Sequence, residues 1–189
     1  GEAKKEMTCI ATVRPGVEWF RHHTTPGLTV AMQVISFFAS PLWVTCMAVL
    51  TGVVLWWKRC WYRLLALTLV IAGGMVQLPL LKMAFHRQRP IHEDAFLYFQ
   101  GYSFPSGHAT MSAVVYLTLA ALVVLLVDGA AVRAYVVVVA VLLTVAVGVS
   151  RVYLGVHWPS DVAAGWALGV AWASLSWLAV NALRTWRSR

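Results

Sequence analysis

The sequence predicts an all-α protein, a polytopic membrane bundle of five spans, on two observations. Of its 189 residues 60% are hydrophobic and only 12% are charged, about half the charge of an ordinary soluble domain. Apolar runs near the ~20 residues that cross a bilayer recur along the chain, and no polar stretch between them is long enough for a second domain. We therefore expect an interfacial segment over residues 1–27 and one membrane domain over 28–189.

Residues 1–27 mix Lys4, Lys5, Arg14, Arg21, His22 and His23 with Trp19 and Phe20, too polar to span and suited to the bilayer surface. Adjacent His22 and His23 point apart, whereas helical metal ligands usually sit at i and i+4. The chain opens on Gly1 and a polar stretch to Glu6. Either the natural chain is longer, with a sixth span ahead, or the first span is its own insertion signal.

The first apolar run, Leu28 to Trp57, is interrupted at Pro41 and ends in Trp56, Trp57, Lys58 and Arg59, an aromatic belt followed by a basic anchor. Pro41 kinks it or divides it into a surface helix and a span. A second span covers Trp61 to Leu81, where Gly73 and Gly74 admit close packing. Residues 82–107 are the longest polar interval within the membrane portion and read as a functional loop. A third span covers His108 to Val127, an Asp128-Gly129 turn follows, and a fourth covers Val132 to Val149. The last runs from Pro159, well placed at a first helical position, to Leu183, with Gly165 and Gly169 as a packing pair.

Five crossings put residues 82–107 and the polar stretch Ser150 to Asp161 on one side. Lys58, Arg59, Arg63, Arg133 and the Arg184, Arg187 and Arg189 tail fall on the other, and basic short loops mark the cytoplasm. The polar clusters should face the periplasm or exterior. The formal charge of +8 then reads as these flanks plus an anion site, not a nucleic-acid surface. Cys9, Cys46 and Cys60 lack paired or metal-ligand spacing, so neither a disulfide framework nor a zinc site is expected.

Three polar clusters share the outer face: Lys82 with Arg89, then Ser106-Gly107-His108, then Ser150-Arg151 with His157 and Asp161. Charged groups at membrane depth pair with one another or line a wet cavity. Lys82, Arg89 and Arg151 concentrate positive charge suited to phosphate oxygens. Ser106 and Gly107 open a span, and free N–H groups at a helix start bind phosphate. Phosphoryl transfer through a histidine needs a nucleophile and an acid. We read His157 as nucleophile, Asp161 as the group fixing its tautomer and His108 as general acid. Any one of these taken alone also reads as a packing or snorkelling residue; the whole set on one side does not. His86, Arg87, His92, Glu93 and Asp94 read as a solvated or headgroup-facing loop surface.

These residues resemble the type 2 phosphatidic acid phosphatase superfamily, whose motifs K-x6-R-P, P-S-G-H and S-R-x5-H-x3-D match Lys82 to Pro90, Pro105 to His108 and Ser150 to Asp161. The resemblance implies an acid phosphatase/vanadium haloperoxidase-like helical core and a metal-independent lipid phosphatase working through a phosphohistidine at His157. It implies that Asp161 supports that histidine, that His108 protonates the leaving group, and that Lys82, Arg89, Ser106, Gly107, Ser150 and Arg151 hold the phosphate. The implied partners are the bilayer and a lipid substrate: undecaprenyl pyrophosphate, phosphatidylglycerol phosphate, phosphatidic acid or lipid A phosphate. The implied location is a bacterial inner membrane with the site outside. Transfer of the phosphoryl group to another lipid, and a lipid-phosphate binding or transport protein without turnover, stand as alternatives; a soluble haloperoxidase conflicts with the hydrophobicity.

Overall fold

A computed structural model describes residues 20, 23–90 and 101–187. The expectations for Lys4, Lys5, Cys9, Arg14, Trp19, Arg21, His22, His92, Glu93, Asp94 and Arg189 lie outside those residues. The described helices are α1 (Pro26–Phe37), α2 (Pro41–Trp57), α3 (Trp61–Phe85), α4 (Gly107–Val124), α5 (Ala130–Tyr153) and α6 (Pro159–Arg187). No strand occurs among the described residues. Among the described residues five segments can cross a membrane by length and composition, with α1 and α2 counted together as 26–57.

Pro41 divides the first apolar run. Ser40 holds an extended conformation and its hydroxyl accepts from the Trp43 N–H, so a new helix starts with proline in its first turn, where its missing N–H costs nothing. Thr25 and Pro26 start α1 in the same way. The two pieces then pack separately, α1 against α5 and α2 against α3 and α4.

Helix α4 is the centre of the bundle, buried without interruption from Ala109 to Tyr116 and packed against α2, α3, α5 and α6. Small residues allow this. A Cβ on Gly169 of α6 would come 2.7 Å from the Thr110 carbonyl oxygen, and one on Gly165 would come 2.9 Å from that of Ser106. The expected Gly165/Gly169 contact is therefore a backbone-to-backbone approach, which in lipid contributes through dispersion rather than hydrophobic burial. Trp166 and Trp172 lie over Gly148 and Gly73, and their indoles donate to the Thr144 and Val70 carbonyls at 3.1 and 2.9 Å. These contacts fix α6 against α5 and α3.

At one end of the bundle two helices run further than the apolar pattern indicated. Helix α3 passes Leu81 to Phe85 and ends where His86 adopts a left-handed conformation, so Lys82 lies in its last turn. Helix α5 passes Val149 to Tyr153, so Ser150 and Arg151 are buried in its last turn. Polar residues do not end a membrane helix when other protein groups receive them. The carboxyl ends of α3 and α5 and the amino ends of α4 and α6 consequently meet at one end of the bundle.

Candidate active site

At that end His157 occupies the short connection between α5 and α6, 2% exposed, and Asp161 in the first turn of α6 is fully buried. Arg89 reaches His157 from the segment after α3. Its Nη1 lies 3.3 Å from His157 Nε2 and also donates to the Val156 carbonyl at 3.0 Å, while Nε donates to the Gly101 carbonyl at 3.1 Å. A guanidinium has no acceptor, so Nε2 must carry the lone pair in this contact and Nδ1 the proton. Nδ1 faces Asp161 Oδ2 across 3.6 Å.

That separation is longer than a hydrogen bond, and Nδ1 has no partner within bonding distance. Burial pushes the His157 imidazole down to about 4, with Arg89 and Arg151 adding to the shift and Asp161 opposing it. At neutral pH the ring is uncharged, with a lone pair available for attack.

Asp161 has closer partners than His157. Its Oδ1 receives Arg87 Nη1 at 2.7 Å and its Oδ2 receives the Trp158 N–H at 3.0 Å. Arg87 also donates to Ser160 Oγ at 2.7 Å, its guanidinium carbon lies 5.9 Å from the Trp158 ring centroid, and Trp158 Nε1 donates to the Gln88 carbonyl at 3.1 Å. Arg87 is therefore not the solvated loop residue that its position suggested. A fully buried carboxylate needs a full counter-charge, a neutral histidine does not supply one, and Arg87 does. The signal was present in the sequence: Asp161 was predicted inside the site with no cation assigned to it.

The remaining candidates surround the same point. Lys82 Nζ donates to the Tyr102 carbonyl at 2.9 Å and lies in the fields of Arg89, Asp161 and Arg151. His108, in the first turn of α4, lies in the fields of Arg151, His157, Lys82 and Arg89. The Ser106 N–H donates to the Asp161 carbonyl at 3.0 Å, joining α4 to α6, while Ser106 Oγ is buried with no hydrogen-bond partner. An unpaired buried hydroxyl costs ~1–3 kcal/mol, which an incoming acceptor removes. A Cβ on Gly107 would meet only Leu78, at 3.9 Å, so no protein atom requires glycine there, and the open backbone suits a ligand.

Arg151 and Ser150 are placed differently. Arg151 Nη1 donates to Ser36 Oγ of α1 at 2.6 Å, a contact unforeseen because Ser36 is an isolated polar residue in an apolar run. The Ser150 hydroxyl turns back to the Val147 carbonyl of its own helix at 2.6 Å, so donation to a ligand would require it to leave that bond. Among the described residues no three His, Cys, Asp or Glu side chains converge in a metal-binding group. Among the described residues the convergent charges are cationic, and the buried carboxylate, Asp161, is already engaged.

The sequence matches the model of the PAP2 superfamily over residues 61–185. It is 32% identical over 152 residues to phosphatidylglycerophosphatase B of Bacillus subtilis (strain 168), covering 77% of this chain and 71% of that one. It is 41% identical to undecaprenyl-diphosphatase of Sulfolobus acidocaldarius over 73 residues, 39% of this chain and 31% of that one. The fold superposes on the crystal structure of the transmembrane PAP2 type phosphatidylglycerolphosphate phosphatase from Bacillus subtilis with a TM-score of 0.77 and 27% identity, covering 94% of this chain and 87% of that one. It superposes on Aquifex aeolicus LpxE with a TM-score of 0.66 and 24% identity, covering 85% and 91%, a likeness of fold.

Proposed function

The chain belongs to the PAP2 superfamily and is an integral membrane lipid phosphatase, and from that premise we propose that it removes a terminal phosphate through a phosphohistidine on His157, without a metal, at the outer face of the membrane. The observation that carries the nucleophile is the pairing of His157 Nε2 with Arg89 at 3.3 Å, which leaves the lone pair on the nitrogen facing the cations.

In the first half-reaction the Nε2 lone pair attacks phosphorus, a P–N bond forms and the bond from phosphorus to the lipid oxygen breaks. His108 gives its proton to that oxygen, and the Nδ1 proton of His157 stays opposite Asp161, whose charge stabilises the ring as it becomes cationic. In the second, water attacks the phosphohistidine, His108 takes a proton from it, the P–N bond breaks and inorganic phosphate leaves. Lys82, Arg89, Arg151, the Ser106 hydroxyl and the opening backbone of α4 hold the equatorial oxygens, and their charge is most effective where it develops in the transition state.

We place phosphatidylglycerol phosphate first among substrates, because the relative that aligns along most of the chain acts on that lipid; undecaprenyl pyrophosphate follows. The basic residues Lys58, Arg59, Arg63 and Arg133 at the far end support a cytoplasmic placement of that end and an external site. Phosphate release from a panel of lipid phosphates and pyrophosphates in EDTA tests the reading. Release that stops on chelation contradicts the metal-free mechanism, and no release from any lipid favours a binding role.

A further inference from the structure

Asp161 is fully buried while its nearest cation, Arg87, comes from a segment 74 residues away in sequence. We infer that Arg87 is a positioning residue of the phosphatase, one that holds the Asp161 carboxylate toward His157 and offsets its charge, so that the histidine stays neutral and nucleophilic over the working pH range. The inference rests on the proposed nucleophile.

The geometry gives Arg87 both roles. With Oδ1 fixed by the 2.7 Å ion pair and Oδ2 by the Trp158 N–H at 3.0 Å, the carboxylate cannot rotate without breaking a charge-assisted bond. Oδ2 is thereby presented to Nδ1. Arg87 is itself secured by Ser160 Oγ and by the Trp158 ring, and its own carbonyl accepts from the Ser103 N–H at 2.7 Å. The segment after α3 and the start of α6 are thus joined at the carboxylate that faces the nucleophile.

The electrostatic role follows from the groups around the ring. His157 is faced by Arg89 from the segment after α3, by Arg151 from α5 and by Asp161 from α6, and it interacts with His108 from α4. Lys82 from α3 lies in the same field. Asp161 is the anion in this set, and an unneutralised carboxylate about 4 Å from an imidazole favours its protonated form by about 1–3 pH units. Arg87, bound to the same carboxylate, cancels much of that attraction. Without it the histidine protonates at higher pH and loses its lone pair.

The test compares the pH dependence of kcat/KM for the full-length enzyme in detergent with Arg87→Gln, Arg87→Lys and Ser160→Ala, on one lipid phosphate so that the substrate's ionisation is common to all. The acid limb of Arg87→Gln should move up by about one pH unit or more, that of Arg87→Lys should stay near wild type, and that of Ser160→Ala should move in the same direction by less. A lowered kcat/KM with the limb unmoved in both Arg87→Gln and Ser160→Ala overturns the inference, since a purely structural anchor lowers activity equally at every pH. If Arg87→Gln does not fold, Ser160→Ala decides by the same criterion. Trapping of phosphohistidine in the wild type separates the two levels. Its presence with an unmoved limb defeats the role of Arg87 alone, and its absence defeats the nucleophile and this inference with it.

Discussion

Arg89 and His157 meet across 3.3 Å, guanidinium Nη1 against imidazole Nε2, so in the unliganded protein the lone pair assigned to attack is covered by a cation assigned to phosphate. An arriving phosphate offers Arg89 a stronger acceptor and uncovers Nε2 beside the phosphorus. Arg89→Lys supplies charge but not a planar fork. We expect it to lower kcat/KM by about 10²-fold or more, within the range for loss of an oxyanion donor, and Arg89→Ala to lower it further. Steady-state kinetics check this, and a lysine variant equal to wild type refutes the exchange.

His108 should act on the leaving group. His108→Ala should slow hydrolysis of an alkyl phosphate lipid by about 10²–10⁴-fold, the usual worth of a general acid, and a substrate with a good leaving group far less. Equal slowing across both counts against the assignment.

Ser36 extends the site into α1. Its hydroxyl accepts from Arg151 at 2.6 Å in a buried setting, and hydrogen bonds to charged groups contribute ~1.5–3 kcal/mol. Ser36→Ala should lower kcat/KM by about 10-fold or more and weaken inhibition by phosphate analogues in parallel, while Ser36→Thr should restore both. Inhibition constants unchanged in the alanine variant would show that Arg151 does not depend on α1.

The site should also make the fold acid-sensitive. His157 in the folded protein is held near 4, below the ordinary 6.5, so between these values the unfolded chain binds the extra proton. Its contribution to stability is complete above about pH 6.5 and is lost as the pH falls from there to about 4. Thermal unfolding in detergent should show this loss, and His157→Phe should reduce it; a wild-type and variant difference independent of pH contradicts the shift.

Much of this was legible in the sequence. The spans followed from apolar run length, and the meeting of three motifs followed from counting crossings. Helix ends did not follow, because Lys82, Ser150 and Arg151 resembled boundaries in a hydropathy pattern, whereas a polar site lets a helix continue through charged residues. Arg87 and Ser36 were missed for a shared reason. Each acts through a partner distant in sequence, Asp161 or Arg151, and composition assigns a loop arginine to solvent and a lone serine to the core. Asking what neutralises each buried charge identifies Arg87; nothing in the local pattern identifies Ser36.

The central claim is the covalent intermediate. The direct measurement is to mix the detergent-solubilised enzyme with lipid phosphate labelled at phosphorus, quench in alkali and locate the label by mass spectrometry. The account predicts an acid-labile, alkali-stable phosphohistidine at His157 that is absent in His157→Ala. Label at another residue, or phosphate release by His157→Ala at the wild-type rate, would contradict it.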